Sequence, residues 1–260
     1  MRIIESYLDI PQGQIFVHQW IPSDTEHLSP LILLHDSLGS VELWREFPEQ
    51  LAFTLNRPVI AYDRLGFGKS SGRATLPSVE FISEEAEFYF PLLCDELGLS
   101  GFFICGHSVG GAMALLIAAT HKQCKGVISL SAQVFVEEAT LEGIRAAKKA
   151  FQNLGQFNKL KKWHDGKSEW VLSAWTEVWL SDEFAGWNIV QNLKKVTCPV
   201  LVIHGESDEY GSVVFPETIK ESVKGKVQME VLNDCGHVPH REKNAHVLET
   251  TLNYFRRVAG

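Results

Sequence analysis

A series of short strand-like runs, most of them apolar on both faces, constrains this chain more than any other feature. They are LILLHD (31–36), RPVIAYD (57–63), GFFICG (101–106), KGVISLS (125–131), CPVLVIHG (198–205) and KVQMEVL (226–232). Segments of helical period separate them. A strand with two apolar faces must be covered on both sides, which only a sheet flanked by helices provides. Two further runs, RIIESYLDI and GQIFVHQWI, are joined by the turn PQG and read as an antiparallel hairpin at the start of the chain. The expectation is an α/β fold: a mostly parallel, doubly wound sheet with an N-terminal antiparallel hairpin.

Helices are expected at VELWREFPEQLAFTL, interrupted by Pro48, and at VEFISEEAEFYFPLLCDEL, kinked at Pro91, since proline breaks the backbone ladder. Others are expected at VGGAMALLIAATH, near 214–223, and at AHVLETTLNYFRRV. Residues 133–196 break the alternation, because they read as several helices without a convincing strand. They are taken as a helical cap or lid inserted into a core formed by 1–132 and 197–260. No internal repeat is visible.

Composition narrows the function. Of 260 residues 45% are hydrophobic and 22% charged, with a net charge of −8. No cluster of Lys and Arg would track a phosphate backbone, so nucleic acid is excluded as a partner. No apolar run reaches the ~18 residues needed to span a bilayer, and no secretory signal opens the chain. The five cysteines form no close-spaced pair, which reads as a reduced, cytoplasmic protein. Composition leaves the oligomeric state open.

The chemistry concentrates at GHSVG (106–110), a G-x-S-x-G motif between an apolar strand and an apolar helix. A sharp turn there brings the chain close to itself, so Gly106 and Gly110 must lack side chains. The turn lifts the Ser108 hydroxyl out of the sheet to a helix N-terminus, where negative charge is favoured. His107 beside it is a candidate wall of the site.

With these features the chain resembles the α/β-hydrolase superfamily. LILLHDSLGS (31–40) is similar to its H-G-x-x-G-S oxyanion loop, and YDRLGFGKS (62–70) carries its D-x-x-G-x-G-x-S turn. The superfamily orders its triad Ser, acid, His. The resemblance therefore implies Ser108 as nucleophile, Asp208 in HGESD as the acid, and His237 in DCGHVPH as the base. Glu206 and Glu209 are rival acids. The implied oxyanion donors are the N–H of Val109 and one from the HDSLG loop, Ser37 by counting, with Leu38 as the alternative. One position departs from the pattern: Asp36 stands where relatives usually have glycine. A carboxylate aimed into the oxyanion hole would oppose catalysis, so Asp36 is expected to point away and hold an Asx turn.

The serine excludes relatives that use an aspartate at the elbow. Acyl chemistry on a small apolar substrate remains: ester, lactone, thioester or amide cleavage, or the related C–C bond hydrolysis and peroxide-dependent acyl transfer. A non-enzymatic receptor or scaffold on the same fold is the alternative of another class. None of these needs a cofactor or metal. His237 and His240 lack a third ligand at zinc spacing. Five of the seven tryptophans lie in 133–196, and Trp175 and Trp179 share a helix face. They pack the cap on the body or wall an acyl pocket, to which Trp44 and Phe67 are further candidates.

Overall fold

The computed structural model describes residues 1–259. Strands β1 (Arg2–Ile10) and β2 (Gly13–Ile21) form the expected hairpin. The remaining strands are β3 (Leu31–Leu34), β4 (Val59–Tyr62), β5 (Phe102–His107), β6 (Cys124–Leu130), β7 (Val200–Gly205) and β8 (Val227–Leu232). The eight strands join in the order β1-β2-β4-β3-β5-β6-β7-β8. β2 pairs with β4 antiparallel, and every later pairing is parallel. β3, β4, β5 and β7 are buried throughout, as two covered faces require.

Helix α1 (Phe47–Leu55) and the C-terminal α11 (Asn244–Val258) pack together on one face of the sheet. On the other lie α2 (Phe81–Glu84), α3 (Phe90–Glu96), α4 (Val109–Thr120), apolar up to its last residue, and, further along the chain, α8 (Val190–Leu193) and α9 (Val214–Ser222). Two proline expectations need correcting. Pro48 does not interrupt a helix; it sits in the first turn of α1, where its missing N–H costs nothing. The disturbance expected at Pro91 lies just before it, as a π-helical turn over Glu85–Tyr89 that links α2 to α3. A ring with no N–H cannot donate to the carbonyl four residues back, and the wider turn absorbs that loss.

Between β6 and β7 the chain forms α5 (Glu138–Ala150), α6 (Leu154–His164), α7 (Ser168–Trp179) and α8, with one isolated antiparallel bridge between Phe135 and Asn188. α10 (Pro239–Glu242) precedes α11. The YDRLGFGKS segment ties loops together. The Asp63 carboxylate accepts N–H bonds from Val41 (2.6 Å) and Lys69 (2.7 Å). Ser70 donates to the Asp63 carbonyl and accepts from Phe16 N–H. The carboxyl ends of β3, β5, β6, β7 and β8 thus meet on one edge of the sheet, where ligands of such sheets bind.

Candidate active site

β5 ends at His107 and α4 begins at Val109, so Ser108 alone makes the turn. Its φ is 56° and its ψ is −125°, a region that costs a non-glycine residue roughly 1–3 kcal/mol. The glycines on either side make this geometry feasible. A Cβ on Gly106 would sit 2.0 Å from the Gly110 carbonyl oxygen, and one on Gly110 would sit 2.3 Å from that of Leu34.

A cavity of about 220 Å³ opens above this turn, lined by Ser108, His237, His107, Asp36, Ser37, Gln133, Tyr210, Trp175 and Trp179 among others. His237 Nδ1 lies 2.8 and 2.9 Å from the two oxygens of Asp208. Since a carboxylate can only accept, Nδ1 carries the proton and Nε2 is left as a base. The Asp208 side chain has no solvent exposure. Burial pushes its carboxyl up, but the hydrogen bond and charge of His237, aided by His204 and Tyr210 N–H, outweigh that and hold it below the usual carboxylate range. The rival acids lie elsewhere: Glu206 is exposed, and Glu209 accepts the backbone N–H of His237 at 3.3 Å. Tyr210 packs edge-on to the His237 ring at 4.9 Å.

The Ser108 hydroxyl makes its contacts with Gln133, at 3.4 and 3.5 Å, and not with His237. Gln133 is in turn 3.4 Å from the Tyr210 carbonyl. The sequence reading missed Gln133, Tyr210 and Arg241. The one signal for Gln133 was its place just past β6, at the edge of the sheet where sites form.

In the loop after β3, Leu38 N–H is spent on Asp36 Oδ1 at 2.8 Å and Gly39 N–H on the Asp36 carbonyl at 3.2 Å. Ser37 N–H donates to no group among the described residues, and Val109 N–H, at the first position of α4, has no intrahelical acceptor. Asp36 holds the Asx turn. Its other oxygen lies 3.3 Å from His107 Nδ1, and the side chain lines the cavity. His107 Nε2 donates to the His237 carbonyl at 2.7 Å, so the residue before the serine tethers the loop of the histidine. Burial would raise the Asp36 carboxyl; His107, His35 and the Leu38 N–H together hold it well below the carboxylate range.

Of the other pocket candidates, one turns away from the serine cavity and one borders the space beside it. Trp44 is buried on a short 3₁₀ turn (Glu42–Trp44) and stacks inward against Phe47 and His240, away from the cavity. Phe67 packs among His35, His164 and Trp170 and lines an adjoining, smaller chamber. Trp175 and Trp179 border both spaces. Among the described residues no group of three or more His, Cys, Asp or Glu could hold a metal ion, and no helix is long and apolar enough to cross a membrane.

A family model for the alpha/beta hydrolase fold matches residues 29–243. The chain belongs to this family. Its curated relatives include the proline iminopeptidase of Lactobacillus delbrueckii subsp. bulgaricus, 25% identical over 96% of both chains. A shorter stretch is 39% identical to human 1-acylglycerol-3-phosphate O-acyltransferase ABHD5, covering 33% of this hydrolase and 24% of that protein. Among solved structures, a bacterial membrane phospholipase A superposes with TM-score 0.79 at 18% identity, covering 99% of this chain and 87% of that one. The proline iminopeptidase of Mycobacterium smegmatis gives 0.70 at 20% identity over 98% of each. At these identities the superpositions speak for the fold alone.

Proposed function

We propose that this hydrolase cleaves ester, lactone or related acyl bonds of a small, largely apolar substrate through Ser108, His237 and Asp208. The observation that carries this reading is the His237 ring, fixed by both Asp208 oxygens with Nε2 free, in the same cavity as the strained Ser108. A substrate entering the cavity displaces the long Gln133 contacts, and the hydroxyl turns to the imidazole. Oγ then attacks the acyl carbon as Nε2 takes its proton, which later goes to the leaving group. Asp208 holds the tautomer and balances the imidazolium. The free N–H groups of Ser37 and Val109 supply the oxyanion hole; Leu38 is not needed, its N–H being spent on Asp36. Water then attacks the acyl-enzyme by the same route. Residues 133–196 act as the cap, contributing Trp175 and Trp179 to an apolar wall that suits a small acyl group.

The test is turnover of p-nitrophenyl esters of graded acyl length, with Ser108→Ala as the blank and a fluorophosphonate as the covalent probe of Ser108. A second reading, removal of an N-terminal proline, draws support from the full-length similarity to a proline iminopeptidase. L-prolyl p-nitroanilide in the same panel separates the two. Failure of every ester and of the probe to react sinks the acyl-hydrolase reading in favour of a receptor or scaffold.

A further inference from the structure

The smaller chamber shares Ser37, Trp175 and Trp179 with the serine cavity and continues past them to Arg64, Arg73, Glu85, Tyr89 and Trp170. It measures about 30 Å³ against about 220 Å³ for the serine cavity. A site of roughly 10–15 Å³ on this scale holds one water, so the chamber has room for a group with about two polar heavy atoms.

Arg64 is buried at 4% exposure, and its hydrogen bonds can be accounted for one by one. Nη2 donates to the Asp36 carbonyl at 2.8 Å. Its 3.4 Å approach to His35 Nδ1 is not a second bond. His35 Nε2 accepts the Arg64 backbone N–H at 3.1 Å, while Nδ1 faces the Asp36 carbonyl at 2.8 Å and carries the ring proton. Burial first, and then the charge of Arg64, hold the His35 pKa well below its ordinary value, so the ring is neutral. Arg64 Nε is sealed from solvent with no partner, and Nη1 makes no hydrogen bond among the described residues. No carboxylate oxygen lies within 4.0 Å of the guanidinium. The face of Phe67, 4.4 Å away, gives only partial compensation.

The rest of the wall points the same way. The nearest carboxylate to Arg73 is Glu84, at 3.9 Å. The one acid lining the chamber, Glu85, accepts the Tyr62 hydroxyl on one oxygen at 2.5 Å, and its charge offsets that of Arg64 from beyond 4.0 Å without a hydrogen bond to it. The π-helical turn sets Glu85 and Tyr89 on the same wall, and such turns are frequent at functional sites. A buried cation with most of its donors unused calls for an acceptor from outside the chain.

We propose that this chamber is an anion subsite, in which Arg64 and Arg73 receive a free carboxylate borne by the acyl part of the substrate. The preferred substrates are then half-esters and related acyl compounds with a second, ionised carboxyl group, the apolar spacer lying between Trp175 and Trp179. This rests on the acyl-hydrolase reading, so its test is a binding measurement that needs no turnover.

Calorimetry on the Ser108→Ala protein compares monomethyl glutarate and monomethyl adipate with methyl valerate and methyl hexanoate. At least one half-ester is expected to bind tenfold or more tightly than its neutral counterpart. Arg73→Met, which leaves Arg64 and the oxyanion loop in place, should cut that advantage below threefold. Glu85→Gln, by removing the chamber's own negative charge, should widen it. If neither half-ester outcompetes its neutral counterpart, or if the advantage survives Arg73→Met and does not grow in Glu85→Gln, the subsite does not exist. Failure of the acyl-hydrolase reading shows separately, as absent fluorophosphonate labelling and ester turnover in the unmodified protein.

Discussion

Asp36 offers the sharpest test of the site, because it puts a carboxylate where relatives usually have glycine. Its two oxygens do different work. Oδ1 accepts Leu38 N–H at 2.8 Å and Oδ2 stands 3.3 Å from His107 Nδ1. Asparagine keeps the first bond in neutral form, since its carbonyl accepts as well. What Asp36→Asn loses is the charged character of both contacts. Hydrogen bonds to charged groups contribute about 1.5–3 kcal/mol, neutral ones about 0.5–1.5. The 3.3 Å contact is longer than a charge-assisted bond of about 2.7–2.9 Å, and the His107 ring already donates from Nε2 to the His237 carbonyl, so it adds little. The expected cost is therefore about 1 kcal/mol, whether read as stability or as kcat/KM, which is less than tenfold in rate. Asp36→Ala removes the acceptor, leaves Leu38 N–H unpaired and should cost a further ~1–3 kcal/mol. The assay is kcat/KM on one p-nitrophenyl ester beside a urea melt of each variant. A folded Asp36→Asn protein slowed more than a hundredfold would refute the reasoning, since the charge itself would then serve the reaction. A tenfold gain would refute it from the other side, by showing that the carboxylate opposes the oxyanion.

Ser108→Ala should abolish ester turnover while leaving the urea midpoint nearly unchanged, and Ser108→Gly should be more stable than Ser108→Ala by about 1 kcal/mol because φ is positive there; equal stabilities would argue against backbone strain at the elbow. Asp208→Asn should lower kcat by about 10⁴ through the wrong histidine tautomer, with Glu206→Gln and Glu209→Gln within about tenfold of the parent. A crippled Glu209→Gln would reassign the acid. Asp208 has a folded-state pKa below its ordinary 3.8, so the stability it contributes is present above about pH 4 and is lost as pH falls below that value. Urea melts at pH 7 and pH 3 should show a smaller acid loss for Asp208→Asn than for the parent.

The architecture was legible because the central strands are apolar on both faces and lie between segments of helical period; the observed bounds of β1 and β2 match the runs read from sequence. The elbow was legible for a steric reason, as a turn with no space for a Cβ leaves glycines at fixed offsets from the serine. Gln133 was not, because a lone polar residue after a strand looks like any loop residue until β7 and its following loop bring Tyr210 beside it. The misplacement of Trp44 has the same origin. Position in a loop sets how near a side chain stands to a site, but the face it turns is decided by partners distant in sequence, here His240. Arg64 was hidden inside the YDRLGFGKS turn, whose glycines and Asp63 account for the motif without it.

β6 and β7 are hydrogen-bonded neighbours although residues 131–199 separate them. Leu130 lies opposite Ile203 and Val200 opposite Val127, so the sheet itself holds the two ends of that long excursion three residues apart along neighbouring strands, roughly 11 Å. Closing a loop costs an entropy that grows only with the logarithm of its length, so doubling the excursion would add about 0.6 kcal/mol. Its length can change at little cost to the strands beneath, provided the core residues it supplies, among them Ile189, Leu193 and Val196, stay packed. The segment standing over Ser108 is the one whose size this scaffold constrains least, so its walls are free to change with the compound they enclose.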